Sequence, residues 1–87
     1  MIVNFSDQAI ETLGTYFENY KITNTGTDLI SRAYHYSRMR MYFTFFDAYI
    51  GQAYVKYGKN CLDIDNICRV EFAKNGNFIL IEDIVFY

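Results

Sequence analysis

The Asn75-Gly76 dipeptide near the C-terminus constrains the fold of this 87-residue chain more than any other feature. It lies between two runs rich in β-branched and aromatic residues, and Asn-Gly is a preferred sequence for a two-residue type I′ turn. The C-terminal part of the chain is therefore predicted to form a β-hairpin. A hairpin centred on this turn places four pairs opposite each other: Lys74 and Asn77, Phe72 and Ile79, Val70 and Ile81, and Arg69 and Glu82.

This register gives the hairpin one apolar face. Side chains two residues apart in a strand point to the same side of the sheet. Arg69 and Glu82 would form a charge pair across the strands on the other side, worth about 0.2–1 kcal/mol. The apolar face needs a second layer of structure to cover it. The residues predicted to form that face are Val70, Phe72, Ile79 and Ile81.

The covering layer is predicted to be an N-terminal helix over residues 6–21. Ser6 is suited to cap the helix, and Asp7 is placed favourably against the helix dipole. Phe5 and Ile10 occupy the positions of a hydrophobic staple. Apolar residues at three- and four-residue spacing then predict the buried stripe of the helix: Ile10, Leu13, Phe17 and Tyr20.

A loop is predicted at residues 23–28, and the aromatic-rich segment that follows is predicted to contribute strands. Residues 38–46 alternate, which predicts a strand, a turn over residues 47–51 and a returning strand over residues 52–57. The alternative is a short helix capped by Thr27 or Asp28 and covering residues 29–37. In the strand interpretation Met39, Met41, Phe43 and Phe45 face the core, and Arg38, Arg40, Tyr42 and Thr44 face outward.

Residues 61–66 are predicted to form a short edge strand or an extended loop, because apolar and acidic residues alternate there. The length fits a single domain over residues 1–87. Together these elements predict an α+β fold, with one N-terminal helix packed on an antiparallel sheet of four to five strands. One sheet face would bury the helix, and the other would be partly open.

The residues that carry common chemistry do not form a recognisable site. The single histidine, His35, and the two cysteines, Cys61 and Cys68, match no zinc-binding spacing. The scattered glycines form no phosphate-binding loop, and no nucleophile signature is present. We therefore predict a non-enzymatic protein with no metal and no cofactor. No membrane-spanning run and no signal peptide are visible, which predicts a cytoplasmic protein with reduced thiols.

The candidate contact surface is a basic, tyrosine-rich stripe. The net charge is +4 over residues 29–59 and −3 on either side, for a total of −2. In a continuous strand, alternate residues would present one tyrosine- and arginine-rich face, the composition that is enriched at protein hot spots: Arg32, Tyr34, Tyr36, Arg38, Arg40 and Tyr42. The acidic residues of the flanking segment form a second candidate surface: Asp63, Asp65, Glu71, Glu82 and Asp83.

These features predict a small protein-interaction domain that binds a larger host protein or protein complex. As a compact, acidic domain without motifs, it resembles many products of bacteriophages and mobile elements, among them anti-CRISPR proteins. This likeness is one of class, not of family, and it implies an inhibitor of a host defence complex. One alternative is single-stranded nucleic-acid binding through the tyrosines and arginines, although the acidic net charge favours it less. Another is self-association, which would cover exposed aromatic residues.

Overall fold

The computed structural model of the protein describes residues 1–22 and 26–87, with side chains described for residues 1–18 and 31–87. Two long helices lie between the first strand and four later strands. The elements in chain order are β1 (Ile2–Phe5), α1 (Asp7–Ile22), α2 (Gly26–Thr44), α3 (Phe46–Tyr49), a 3-10 turn (Ile50–Gln52), β2 (Tyr54–Lys56), β3 (Lys59–Ile64), β4 (Cys68–Asn75) and β5 (Phe78–Phe86).

The five strands form one mixed sheet in the order β1-β5-β4-β3-β2. The pairs β2–β3, β3–β4 and β4–β5 are antiparallel, as predicted, but β1 pairs in parallel with β5 at the edge of the sheet. The predicted α+β class and strand number are confirmed. The all-antiparallel sheet and the single helix are wrong, because β1 was not foreseen and the middle of the chain is helical.

Helix α1 begins where the sequence predicts. The Ser6 side chain accepts a hydrogen bond from the Ala9 amide at 3.1 Å, so Ser6 caps the helix. Ala9 is fully buried, and Leu13 and Phe17 pack against the core. The predicted staple is wrong, since Ile10 is 56% exposed and Phe5 packs edge-to-face on Phe43. The predicted role of Tyr20 lies outside the described side chains.

The strand predicted over residues 38–46 is wrong, because α2 is continuous from Gly26 to Thr44. The predicted loop is also wrong from Gly26 onward, and residues 23–25 lie outside the described residues. The alternative short helix was closer, although the real helix is longer at both ends. A short stretch like this one can fit both the two-residue period of a strand and the 3.6-residue period of a helix. Met39, Tyr42 and Phe46 follow the helical period, since they are three or four residues apart and all three are buried.

The helical geometry changes which side chains enter the core. Tyr42, predicted to face outward, is only 6% exposed, and Phe45, predicted to face inward, is 60% exposed. Phe46 takes the inward place at 1% exposure and packs edge-to-face on Phe72, with ring centroids 5.2 Å apart. Met39 is buried as predicted.

The C-terminal hairpin is confirmed, but its register is shifted. The two loop residues are Gly76 and Asn77, and Phe72 lies opposite Ile81. Gly76 has φ +60°, as the first central residue of a type II′ turn requires. Near the turn the pairing differs from the prediction by two residues, so each side chain keeps its face. The four predicted inward residues are all buried: Val70, Phe72, Ile79 and Ile81.

A β-bulge at Glu82 separates the two halves of β5. Phe72 pairs with Ile81 and Glu71 with Asp83, so Glu82 is an extra residue. The bulge turns both Ile81 and Ile84 toward the core, although they are three residues apart. It also leaves the Glu82 carbonyl oxygen free to accept a 2.7 Å hydrogen bond from the Ser6 hydroxyl, which joins the bulge to the start of α1.

The segment before β4 is partly as predicted. α3 and the 3-10 turn occupy the predicted turn region, and β2 forms within the predicted returning strand. Tyr57 and Gly58, with φ of 53° and 75°, make the tight turn to β3. β3 is an interior strand, not an edge. Both cysteines are free thiols, as predicted, and strand alternation directs Cys61 and Cys68 to opposite sheet faces.

Candidate functional site

The tyrosine- and arginine-rich stripe is divided by the helix that carries it. Residues two positions apart point about 160° away from each other on a helix, whereas in a strand they share a face. Positions four apart stay together, which gives two separate flanks of α2. Tyr34, Arg38 and Tyr42 lie on one flank, and Arg32, Tyr36 and Arg40 lie on the other.

The first flank is tied to the sheet by Asp65. Both carboxylate oxygens of Asp65 accept from the Arg38 guanidinium, at 2.6 and 3.1 Å, and one also accepts from the Tyr42 hydroxyl at 2.9 Å. The hydrogen bond from Arg38 holds the pKa of Asp65 below its ordinary value of 3.8, and it also raises the pKa of Arg38. These contacts fix α2 on the turn between β3 and β4, so they are structural.

We expect replacement of Asp65 by Asn to remove one pH-dependent component of stability. In the unfolded chain this carboxyl group binds its proton near pH 3.8, whereas in the folded chain it stays ionised to a lower pH. The stabilisation is therefore present above pH 3.8 and is lost as the pH falls through the folded value. Asn suits the site because Asp65 has φ +50°, a conformation that Asn tolerates.

The measurement is urea unfolding of both proteins at pH 7 and at stepwise lower pH. Asp65→Asn is expected to be less stable than the original chain at neutral pH, and the difference should shrink steadily below pH 4. Glu82→Gln is the matched control, because Glu82 is exposed and takes part in none of the ion pairs found among the described residues. A difference that is constant with pH would contradict the assignment.

The only histidine makes a structural contact between the two long helices. The Tyr16 hydroxyl and Nδ1 of His35 are 2.7 Å apart, and burial lowers the pKa of His35, which favours the neutral acceptor form. The Arg32 guanidinium donates to the Tyr16 carbonyl at 2.6 Å and lies over the Tyr16 ring. Tyr16 also stacks on Phe86 of β5 at 3.6 Å. This cluster anchors the helices to the sheet.

The exposed side of the sheet carries an apolar patch that we call the β1–β5 patch, formed by Ile2, Phe78 and Leu80. These side chains are 49%, 55% and 41% exposed, respectively. Ile2 lies beside Phe78 in the parallel pairing of β1 with β5, and Leu80 follows on the same face of β5. No described helix packs on this face, since the buried members of the sheet point toward the helices.

The other end of the same face is polar and internally bonded. The hydroxyls of Tyr54 and Tyr87 both donate to Oδ1 of Asp63, at 2.8 and 2.5 Å. Burial is the main cause that raises the pKa of both tyrosines, and the neighbouring Asp63 carboxylate raises it further. Both hydroxyls therefore remain protonated donors at neutral pH. One carboxylate thus fixes two aromatic rings at the surface.

The other acidic candidates make different contacts within the molecule. Glu71 contacts Arg69 and Lys59, each at 3.4 Å. The predicted pair of Arg69 with Glu82 is wrong, because the register places Arg69 opposite Val85. Asp83 accepts from the Ile84 amide at 2.8 Å.

Strand register brings Asp63, Glu71 and Asp83 to the open sheet face. Asp65 is committed to α2, and Glu82 is exposed at the bulge. Of the acidic set, therefore, three residues share one face and two do not. Because most of these carboxylates are bonded within the molecule, their charge is partly neutralised before any partner arrives.

Within the described residues, no group of three His, Cys, Asp or Glu side chains is placed to hold a metal ion. Burial raises the pKa of the Cys68 thiol to about 12, so at neutral pH it is protonated and inert. None of the described helices has the length and apolar character that crossing a bilayer requires. Comparison with known family models, curated protein sequences and solved structures finds no match.

Sequence reasoning missed the β1–β5 patch. Ile2 was not assigned to a strand, so the apolar residue that lies beside Phe78 was not foreseen. A signal was present, because the run from Phe78 to Ile81 is apolar without interruption. A strand that is apolar on both sides implies that both faces are covered, or that one is open for a contact.

Proposed function

We propose that this chain is a small, non-enzymatic protein-interaction domain that binds its partner through the open face of the sheet. The observation that carries the proposal is the β1–β5 patch. Ile2, Phe78 and Leu80 adjoin one another on two neighbouring strands and remain about half exposed. Contiguous apolar side chains on a domain surface mark contact sites, whereas single exposed ones are ordinary.

The composition of the open face resembles that of a protein interface. An apolar centre with a polar rim is the usual anatomy, and tyrosines are enriched at such contacts. The polar end of this face carries Tyr54 and Tyr87, whose hydroxyls are already bonded to Asp63. Since these rings are held in place before binding, less conformational entropy is lost on association.

The internal bonding of the acidic residues favours apolar contact over mimicry of nucleic acid. Asp63, Glu71 and Asp83 all accept hydrogen bonds or form ion pairs within the molecule. The narrower prediction, that the partner is a host defence complex, stays a prediction. The nucleic-acid alternative loses its main support, because α2 turns Arg38 and Arg40 away from each other.

The test is capture of a partner by the immobilised full chain from a lysate of the cells in which it acts. Phe78→Asp introduces a charge in the centre of the patch, and we expect it to reduce the recovered partner by about thirtyfold, the effect of losing a hot spot. Val55→Asp is the matched control. Val55 is 70% exposed, and its pairing with Asn60 directs it to the opposite sheet face.

Both variants should unfold at nearly the same temperature as the original chain, since each changes an exposed side chain. The proposal fails if no stoichiometric partner is recovered by the original chain. It also fails if Phe78→Asp retains the partner as well as Val55→Asp does.

A further inference from the structure

The helical layer carries a second apolar surface, separate from the open sheet face. A cavity of about 380 Å³ lies between β1, α1 and α2. A second cavity, of about 510 Å³, adjoins it, because Leu13, Phe17 and Tyr36 line both. We call the two together the α1–α2 groove. Its remaining lining is mostly apolar: the half-buried Val3, Phe5 and Phe43, the buried Met39, and the exposed Gly14 and Ala33, with Arg40, Thr44 and Arg32 at the rim.

The α1 side of this groove is open to close approach. A Cβ atom built on Gly14 would meet no other atom within 4 Å, so packing within the chain does not require glycine there. Glycine also weakens the interior of a helix relative to almost any other residue. Ile10 lies one turn before Gly14 on the same flank and is 56% exposed. An exposed isoleucine beside an uncrowded glycine suits contact with another backbone.

The two helices that form the groove differ in charge, and the acidic residues of α1 lie outside the groove lining. The described side chains of α1 include three exposed acids and no base: Asp7, Glu11 and Glu18. The described side chains of α2 include three arginines and no acid. Arg38 is paired with Asp65, and Arg32 contacts Tyr16. Arg40 is exposed at the groove and makes no ion pair with any described residue.

These observations fit a surface that is complementary to itself. We infer that the α1–α2 groove is the contact between two copies of this chain. Ile10 and Gly14 of each copy pack in the groove of the other, and the acidic residues of α1 lie against Arg40 of the other copy. Because each copy supplies both the acidic helix and the basic rim, a two-fold arrangement satisfies both halves of the contact at once. The open sheet face stays free for the partner proposed above.

Sedimentation velocity over roughly 10–200 µM chain tests the inference, because the fraction of chains in a dimer rises with concentration by mass action. Gly14→Gln fills the open flank, and we expect it to weaken the dimer at least tenfold. At low concentration the same change should raise the melting temperature of the free chain, since Gln is a better helix former. If Gly14→Gln makes the free chain more stable but weakens the dimer, the weakening comes from the contact between copies and not from a folding defect.

A charge reversal gives the second arm. Arg40→Glu should also weaken the dimer at least tenfold, and adding Glu11→Arg and Glu18→Arg should restore most of it. A chain that is monomeric throughout the range would overturn the inference, and so would a dimer unaffected by Gly14→Gln and Arg40→Glu. A dimer abolished by Phe78→Asp instead would place the contact on the sheet. A monomer that binds an apolar dye in the groove would identify a small-molecule site.

Discussion

Phe46→Ala is expected to lower the free energy of unfolding by about 3–5 kcal/mol, while Phe45→Ala should change it by no more than about 0.5 kcal/mol. Phe46 is 1% exposed and packs edge-to-face on Phe72 in the middle of the sheet. Removing its ring leaves a cavity between the helical layer and β4, which the surrounding backbone can fill only in part. Phe45 is 60% exposed, so little apolar surface is lost when it is shortened.

Urea unfolding monitored by circular dichroism measures both values. A domain of this length has a total stability on the order of 5–10 kcal/mol, so Phe46→Ala should remove about half of it. The pair of variants also distinguishes the helical arrangement from a strand, in which Phe45 would face the core. Equal losses for the two, or a larger loss for Phe45→Ala, would contradict the structure.

Ser37→Pro is expected to cost about 3 kcal/mol or more, because Ser37 lies in the middle of α2. Proline removes the amide that a helix directs to the carbonyl of Ala33, and its ring clashes with that carbonyl. The Ser37 side chain is exposed, so the loss cannot be assigned to packing of the side chain. Circular dichroism should show reduced helical signal together with a lower melting temperature.

Ser37→Ala is the matched control. Alanine is the better helix former, so we expect this variant to be as stable as the original chain or more stable by up to about 0.5 kcal/mol. If Ser37→Pro were tolerated as well as Ser37→Ala, a continuous helix through this position would be ruled out. The comparison uses one exposed position and therefore tests backbone conformation alone.

The two proposed contact surfaces lie on separate parts of this small protein. The sheet presents Ile2, Phe78 and Leu80 on one side, and the α1–α2 groove opens in the helical layer on the other. We propose that the first surface binds a partner protein and that the second joins two copies of this chain. Variants on one surface should leave binding at the other unchanged, since the two lie on opposite sides of the sheet.

Several features of the fold follow from local sequence alone. Ser6 begins the first helix because its side chain satisfies an amide that the helix leaves unpaired. The hairpin keeps Val70, Phe72, Ile79 and Ile81 buried even though its register is shifted by two, because side chains in a strand repeat every two residues. Periodicity and capping act within a few residues, so a single sequence reveals them.

Tertiary contacts decided the rest. The segment around residues 38–46 satisfies a strand pattern and a helix pattern alike, and burial of Met39, Tyr42 and Phe46 against the sheet selects the helix. β1 forms by pairing with β5, which lies more than 70 residues later in the chain. The bulge at Glu82 directs Ile84 to the core as well as Ile81, although the two are three residues apart. These choices depend on surfaces brought together by folding, which local sequence does not encode.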